Sequence, residues 1–383
     1  LCAPRSRDFD IGKLHVAMQM CTIAPMNLST ISDCARVRDV WNHFWRGEII
    51  KRPPVVTQIP KPGCTPVWPG GMRYLHGLHG DYAAARNAID HWLDTTIFLA
   101  ESVPHYEPAL GPDQYAAFFG GTLQVKDDSP GTSWSEPFVN DWSEVLPLRI
   151  QPDNPAWQSL LEFNRVIAEH GKGRYLTGVA DLHSNMDALS SMRGPERLCM
   201  DFYDCPDLVA RAMADVRATY PYVYESLYEA GGMSPATGTV GWIPFWCEGR
   251  FATIQCDFLC MISRELARQY VLPALEEEAS YLDHCILHFD GPGALPHLDD
   301  ILAIKEIDAI QWVPGAGQPP MHTWTDVLLR CQKAGKALQI YGVGPDEVKQ
   351  LHRILAPNKT VYCVYVQSEA ECNELLTWLE RNT

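Results

Sequence analysis

Positive charge is scarce in this chain of 383 residues: 31 lysines and arginines stand against 47 aspartates and glutamates, a net charge of −16. A phosphate backbone repels such a surface, so no nucleic-acid partner is expected, although a local basic pocket for a small acidic substrate stays compatible with it. Paired cysteine motifs are also missing. The 13 cysteines are scattered with no Cys-x-x-Cys among them, which excludes zinc-finger spacing and points to reduced thiols in a cytoplasmic protein rather than a disulfide framework. Cys256 and Cys260, four apart, read as small buried residues. No stretch of about 18 consecutive apolar residues occurs, so no membrane span is expected. Residues 1–10 carry charges and no apolar run, unlike a signal peptide, and the lack of an initiator Met suggests an incomplete or processed start. Gly-x-Gly-x-x-Gly and Walker loops are absent; the nearest run, Gly291-Pro292-Gly293, lacks one backbone N–H at its proline. No bound organic cofactor is therefore expected.

What is present suits a large folded core: 46% of residues are hydrophobic and 20% charged. Residues 37–46 read as a short amphipathic helix, and Pro53-Pro54 introduce an apolar run over 55–59. A second apolar run covers 95–100. Residues 111–142, rich in Gly, Pro, Ser and Trp, read as an ordered insertion with loops. From there the pattern is regular: strand 175–180, helices 195–203 and 206–229, strand 253–256, then a long helix 263–283 that Pro273 should kink. Strands at 285–289, 309–313, 337–341 and 361–366 alternate with helices at 295–304, 323–334, 345–355 and 369–381. Such alternation implies a parallel α/β sheet. With no nucleotide loop, the reading preferred over an open sheet is a (β/α)8 TIM barrel over residues 51–383, with an N-terminal extension over 1–50 and loop insertions.

In a barrel the reactive residues sit at the C-terminal ends of strands. Those positions hold Asp181, His183 and Asp187; Gln255 and Asp257; His288 and Asp290; Gln311 and Trp312; Tyr341; and Cys363 and Tyr365. Each has a plainer reading: Asp181 as a helix cap, Asp290 as a turn former, His183 as a satisfied loop histidine. His288 and Asp290, two apart on a strand, point to the same side and suit one divalent ion, with Cys363 as candidate third ligand. A turn and an acid–base pair account for the same residues without metal. Asp181-x-His183-x-x-Met186 superficially matches a cobalamin-binding pattern but lacks its final glycine. Trp242, Phe245 and Trp246 precede the Asp257 strand; with Trp312 they read as core or as rings that stack on a flat substrate or cage a quaternary ammonium.

The segment 95–104 resembles the first barrel strand of uroporphyrinogen decarboxylase, with Glu101 where that family has a catalytic aspartate. Ser190-Ser191-Met192-Arg193-Gly194-Pro195-Glu196 with Asp204-Cys205-Pro206 resembles its third-strand region, and Ile254-Gln255-Cys256-Asp257 followed by Pro273 resembles another of its strand–helix units. The arginine loop that binds porphyrin carboxylates is not matched; only Lys51-Arg52-Pro53-Pro54 stands near its place. The run from His288 through Asp290-Gly291-Pro292-Gly293 to Gln311-Trp312-Val313-Pro314-Gly315 is similar to a decarboxylase-like branch of the superfamily. Zinc methyltransferases of that superfamily, which serve corrinoid proteins or thiols, use His-x-Cys and a later Cys. His288, Asp290 and Cys363 fall at those places, with Asp290 replacing one cysteine.

The resemblance implies methyl transfer at zinc on a small molecule. Glu101, His183, Asp257 and Tyr341 would be catalytic, Asp181, Trp242, Trp246, Gln311 and Trp312 would contact substrate, and His288, Asp290 and Cys363 would bind metal. A separate corrinoid protein would be the partner, and a homodimer stays open. The alternatives are cofactor-free decarboxylation or another lyase reaction, with His183 or His288 as proton donor, and a non-catalytic ligand-binding barrel.

Overall fold

The computed structural model describes residues 26–126 and 129–383. In chain order its elements begin with α1 (Cys34–Trp45), β1 (Val55–Pro60), α2 (Arg73–His79), α3 (Tyr82–Thr95), β2 (Thr96–Ala100) and β3 (His105–Tyr106). The segment read as an insertion holds α4 (Gln114–Phe118), the strand pair β4 (Leu123–Lys126) and β5 (Ser129–Ser135), and α5 (Trp142–Val145). Next come α6 (Pro155–Gly171), β6 (Leu176–Thr177), α7 (Asn185–Arg193), α8 (Pro195–Asp204), α9 (Pro206–Ala230), β7 (Thr239–Val240), β8 (Trp246–Cys247) and β9 (Phe251–Gln255). After α10 (Arg264–Leu266) and α11 (Leu272–Tyr281) the strict alternation begins: β10 (His284–Asp290), α12 (Leu298–Leu302), β11 (Ala309–Val313), α13 (Thr325–Lys333), β12 (Ala337–Val343), α14 (Pro345–His352), β13 (Thr360–Val364) and α15 (Glu369–Asn382).

Seven strands form one ladder in the order β2-β1-β13-β12-β11-β10-β9. All neighbours in it are parallel except β2, which runs antiparallel to β1. The apolar run at 95–100, read from sequence as the first barrel strand, is thus the antiparallel return from β1. β3 pairs with β6 in parallel, Val179 bridges Gly241 in parallel, and β7 lies beside β6 and β9. Among the described residues the main ladder ends at β2 and β9. The fold is therefore a mixed α/β arrangement around a mostly parallel sheet. No helix among the described residues is long and apolar enough to cross a membrane.

Strand alternation divides the sheet into two faces. Leu287, Phe289, Ile310, Trp312, Leu338, Ile340, Tyr362 and Val364 join the core shared with Leu298, Leu328, Leu351 and Leu375 of the covering helices. The other face begins with an apolar layer of Phe251, Ile286, Ala309 and Val361. Helix α1 covers that layer. Asp33 caps it by accepting from Arg36 N, and its Val37, Trp41 and Phe44 are buried. Trp41 and Phe44 pack on Phe245 at 5.2 and 5.6 Å between centroids, and Trp45 stacks on His284 at 4.4 Å. The described part of the N-terminal extension is thus built into the core.

Pro273 does interrupt its helix. A π-turn over 267–271 precedes it, and Pro273 is the second residue of α11. Widening the turn accommodates a residue with no N–H to donate and a ring that crowds the preceding carbonyls.

Candidate functional site

Above the apolar layer the same face turns polar. Gln255, His288, Gln311 and Gln339 are register neighbours on β9, β10, β11 and β12. Their side chains form a directional chain. His288 Nδ1 donates to Gln311 Oε1, Gln311 Nε2 donates to Gln339 Oε1 at 2.6 Å, and Gln339 Nε2 donates to Cys363 Sγ at 3.2 Å. Because an amide oxygen only accepts, His288 carries a proton on Nδ1, so that in the neutral ring Nε2 is the lone-pair nitrogen.

The loop after β6 leans over this layer. His183 (φ 44°) and Asn185 (φ 56°) both adopt the left-handed conformation, which non-glycine residues keep only when the surroundings enforce it. Asn185 Nδ2 donates to the Gln255 carbonyl at 3.0 Å, and Ser184 Oγ donates to buried Glu278 at 2.7 Å. Burial, with Asp187 and Glu277 adding repulsion, pushes the Glu278 carboxyl up to about 7 against the Ser184 and Asn185 donors. Asp187 accepts from the backbone N–H of Asp257 (3.0 Å) and Phe258 (2.9 Å), which ties the loop to the end of β9.

Asp181 Oδ2 lies 3.0 Å from His183 Nε2, and Asp187 Oδ2 lies 3.8 Å from His183 Nδ1. Burial alone would favour neutral imidazole, but Asp181, then Asp187 and Asp257, overcome it and raise the pKa to about 10. His183 is thus an imidazolium at neutral pH. Burial of Asp181 is likewise outweighed by His183, His288 and Arg73, which hold its carboxyl below the usual range. Gln255 Nε2 lies 2.7 Å from His183 Nε2.

Ligand atoms of Asp257, His288 and Asp290 lie within 4.8 Å of one another. Asp257 is reachable by solvent but crowded by protein; partial desolvation and the Asp187 carboxylate push its pKa to about 6, against the pull of His183 and His288. The expected third ligand, Cys363, is not in this group: its Sγ accepts from Gln339, and burial pushes the thiol up to about 12. Asp257, expected as a catalytic residue, stands with His288 and Asp290 in this candidate cation group. Tyr341 is next to them; burial, with Asp290 and Tyr365 adding to it, raises its phenol to about 12. Trp242 packs edge-on against His288 at 5.1 Å.

Three expected site residues fall elsewhere. Glu101 is fully buried and ion-paired with Arg52 (2.7 Å) and Arg36 (2.5 Å), so it fastens α1 and the start of β1. Trp246 is buried in the lower apolar layer, with Nε1 donating to Thr237 O at 3.0 Å. Trp312 follows Gln311 on β11 and so points the opposite way, into the helix-facing core between Phe289 and Trp324. Gln339 escaped the reading although it lies two before Tyr341 on one strand face. Asn185, Glu278 and Arg73 also support the site, and no spacing signal in the chain marks them.

No family model matches the chain, and no curated protein matches it. Solved structures do: a methyltransferase from Methanosarcina mazei is similar over 90% of this chain and 98% of that one, with a TM-score of 0.53 and 12% sequence identity. At that identity the likeness shows the fold alone.

Proposed function

We propose that the chain is an enzyme transferring a methyl group from or to a small molecule at a divalent cation, zinc in the first instance, held by Asp257, His288 and Asp290 at the mouth of a strand array that closes as a (β/α)8 barrel. The observation that carries this reading is the convergence of one imidazole nitrogen and two carboxylates within 4.8 Å, with His288 already oriented by Gln311. Three protein ligands with an open position are the usual pattern of a catalytic site, and an N,O,O set suits a borderline-to-hard divalent ion. The fold shared with a methyltransferase from Methanosarcina mazei supports the reading.

A bound cation supplies Lewis acidity, lowering the pKa of a thiol acceptor or stabilising charge on the leaving atom. The chain's own residues do the rest. Gln311 fixes the His288 tautomer. The Asp181–His183 pair keeps a proton at Nε2 at neutral pH. Tyr341 and Trp242 flank the cation group on the side where substrate enters. The methyl acceptor is a thiol or a separate corrinoid protein. His183 also favours a second reading: a lyase, such as a decarboxylase, needs a charged donor to protonate a carbanion, and a buried imidazolium is one.

Elemental analysis and equilibrium dialysis of the purified protein decide between them. One zinc per chain, lost in His288→Ala and kept in Cys363→Ser, is the expected result. A folded protein that takes up no divalent ion at micromolar concentration sinks the methyl-transfer reading.

A further inference from the structure

A cavity of about 310 Å³ opens beside the polar layer, over β1, β2 and the ends of β12 and β13. Its walls are aromatic: Trp68, Trp92, Phe98, Trp242, Tyr341 and Tyr365. No Asp, Glu, Lys or Arg lines it, although the chain as a whole is rich in acids. The rings are set on edge to one another, Trp68 on Trp92 at 5.2 Å and Trp92 on Phe98 at 4.9 Å. Trp68 and Tyr365 form the rim at 43% and 73% exposure, a large apolar investment that core packing does not account for. At the inner end Trp242 meets the His288 ring, so the cavity abuts the cation ligands.

Thr57 and Ser102 in the wall already donate to Val364 O and Thr57 O, each at 2.7 Å, but two indole donors are unpaired. Trp92, 3% exposed, and Trp242 each bury an indole N–H that has no acceptor. His105 donates through Nδ1 to Val103 O at 2.8 Å, and its Nε2 is left as an acceptor at the wall. Unpaired buried donors disfavour an empty site and favour a ligand that carries an oxygen. The volume stands at the small end of the range usual for ligand sites, roughly 300–1,000 Å³. It admits one ring and not a porphyrin.

We infer that this cavity binds an uncharged single-ring arene bearing a methyl ether, and that it is the methyl-donor pocket of the proposed enzyme; the inference rests on the methyl-transfer reading. With no carboxylate inside the cavity a quaternary ammonium would have only ring faces to meet its charge, whereas a neutral arene gives up no ionic hydration on entry. The ring lies between aromatic faces, its ether oxygen takes an indole N–H, and the methyl points toward the His288 end. In transfer the methyl C–O bond breaks with its electron pair left on the aryl oxygen. That oxygen takes one proton to become a phenol, and the methyl bonds to a thiolate acceptor.

The test is calorimetric titration of EDTA-treated protein with 2-methoxyphenol, and separately with choline, followed by an independent zinc titration. 2-Methoxyphenol is expected to bind with a dissociation constant on the order of a millimolar or below. Trp242→Ala should weaken it about tenfold or more, and so should the rim variant Trp68→Ala, whose exposed position leaves folding intact. Tyr203→Ala, at an exposed tyrosine remote from the cavity, should leave it unchanged. Tighter choline binding, or arene binding indifferent to both tryptophan changes, overturns the inference. Arene binding without any zinc uptake keeps the pocket and removes the metal reading; zinc uptake without arene binding does the reverse.

Discussion

Glu278 gives a test of how the site is held. Its carboxyl is 4% exposed and receives the Ser184 hydroxyl and the Asn185 amide, the groups that pin the left-handed turn carrying His183. Burial pushes its pKa from 4.5 to about 7. A carboxyl raised on folding favours the native state while protonated. Its contribution is fully present below about pH 4.5 and is lost as pH rises through about 7. At about 1.4 kcal/mol per unit, the wild type should lose on the order of 3 kcal/mol between pH 5 and pH 9 from this group. Glu278→Gln keeps an acceptor for Ser184 and cannot ionise, so it lacks that loss. Other groups titrate in the same interval, and the difference between the two proteins removes them. Reversible urea unfolding of both, at half-unit steps from pH 5 to pH 9, measures the quantity. The stability of wild type minus variant should fall with rising pH, half of the change being reached near pH 6 to 7. Parallel curves, or a wild type that gains on the variant as pH rises, would refute the argument, because the carboxylate would then be the form the turn prefers.

Four further outcomes follow from the same geometry. Nitrogen NMR of labelled histidine should find both His183 nitrogens protonated at pH 8, and Asp181→Asn should lower that pKa by about one unit or more, because the adjacent carboxylate is what overcomes burial. Trp312→Ala should cost about 3–5 kcal/mol in unfolding and leave ligand affinity unchanged, since the ring is fully buried on the helix side. Glu101→Ala should cost about 3–5 kcal/mol by stranding Arg52, which is 7% exposed, and stability assays will separate this from a catalytic defect. Cys363→Ser should retain bound cation, because its sulfur touches Gln339 and not the Asp257–His288–Asp290 group.

The last four strand–helix units were legible because each strand is short, apolar and bounded by polar turns, and each helix repeats at its own period. Residues 155–171 carried a start signal as clear as any, Asn154 before Pro155 with Asn154 accepting from Trp157 N, but the helix there has no place in the sequence reading. The strand expected over 175–180 keeps two residues of ladder, Leu176–Thr177, and one further bridge from Val179 to Gly241, before the chain turns at His183 and Asn185. Histidine and asparagine tolerate the left-handed region better than most residues, but it is the contacts to Glu278 and the Gln255 carbonyl that hold the turn. Within the site, side-chain parity held more than was used. His288, Asp290 and Gln311 follow from alternation, and the same alternation places Trp312 on the far side of the sheet. What sequence could not give was the third member of the cation group. Asp257 and Cys363 both end strands in the array, and only the fold decides which of them reaches His288.

The two layers on one sheet face argue for a functional constraint on that face. The lower layer is filled by Phe251, Ile286, Ala309 and Val361 and closed by α1, as any core would be. One step up, three strands present glutamines where leucine or valine would bury as well and need no partners. A chain of amides in a buried layer is tolerable only if every link is made, since each broken link leaves a desolvated group at about 1–3 kcal/mol. Here the links run one way, from His288 through Gln311 and Gln339 to the sulfur of Cys363, which ends the chain as an acceptor. Reversing any amide would put donor against donor. A purely structural layer has no need of direction, but a histidine that must offer Nε2 and not Nδ1 to the mouth of the sheet does, and the amide chain supplies it.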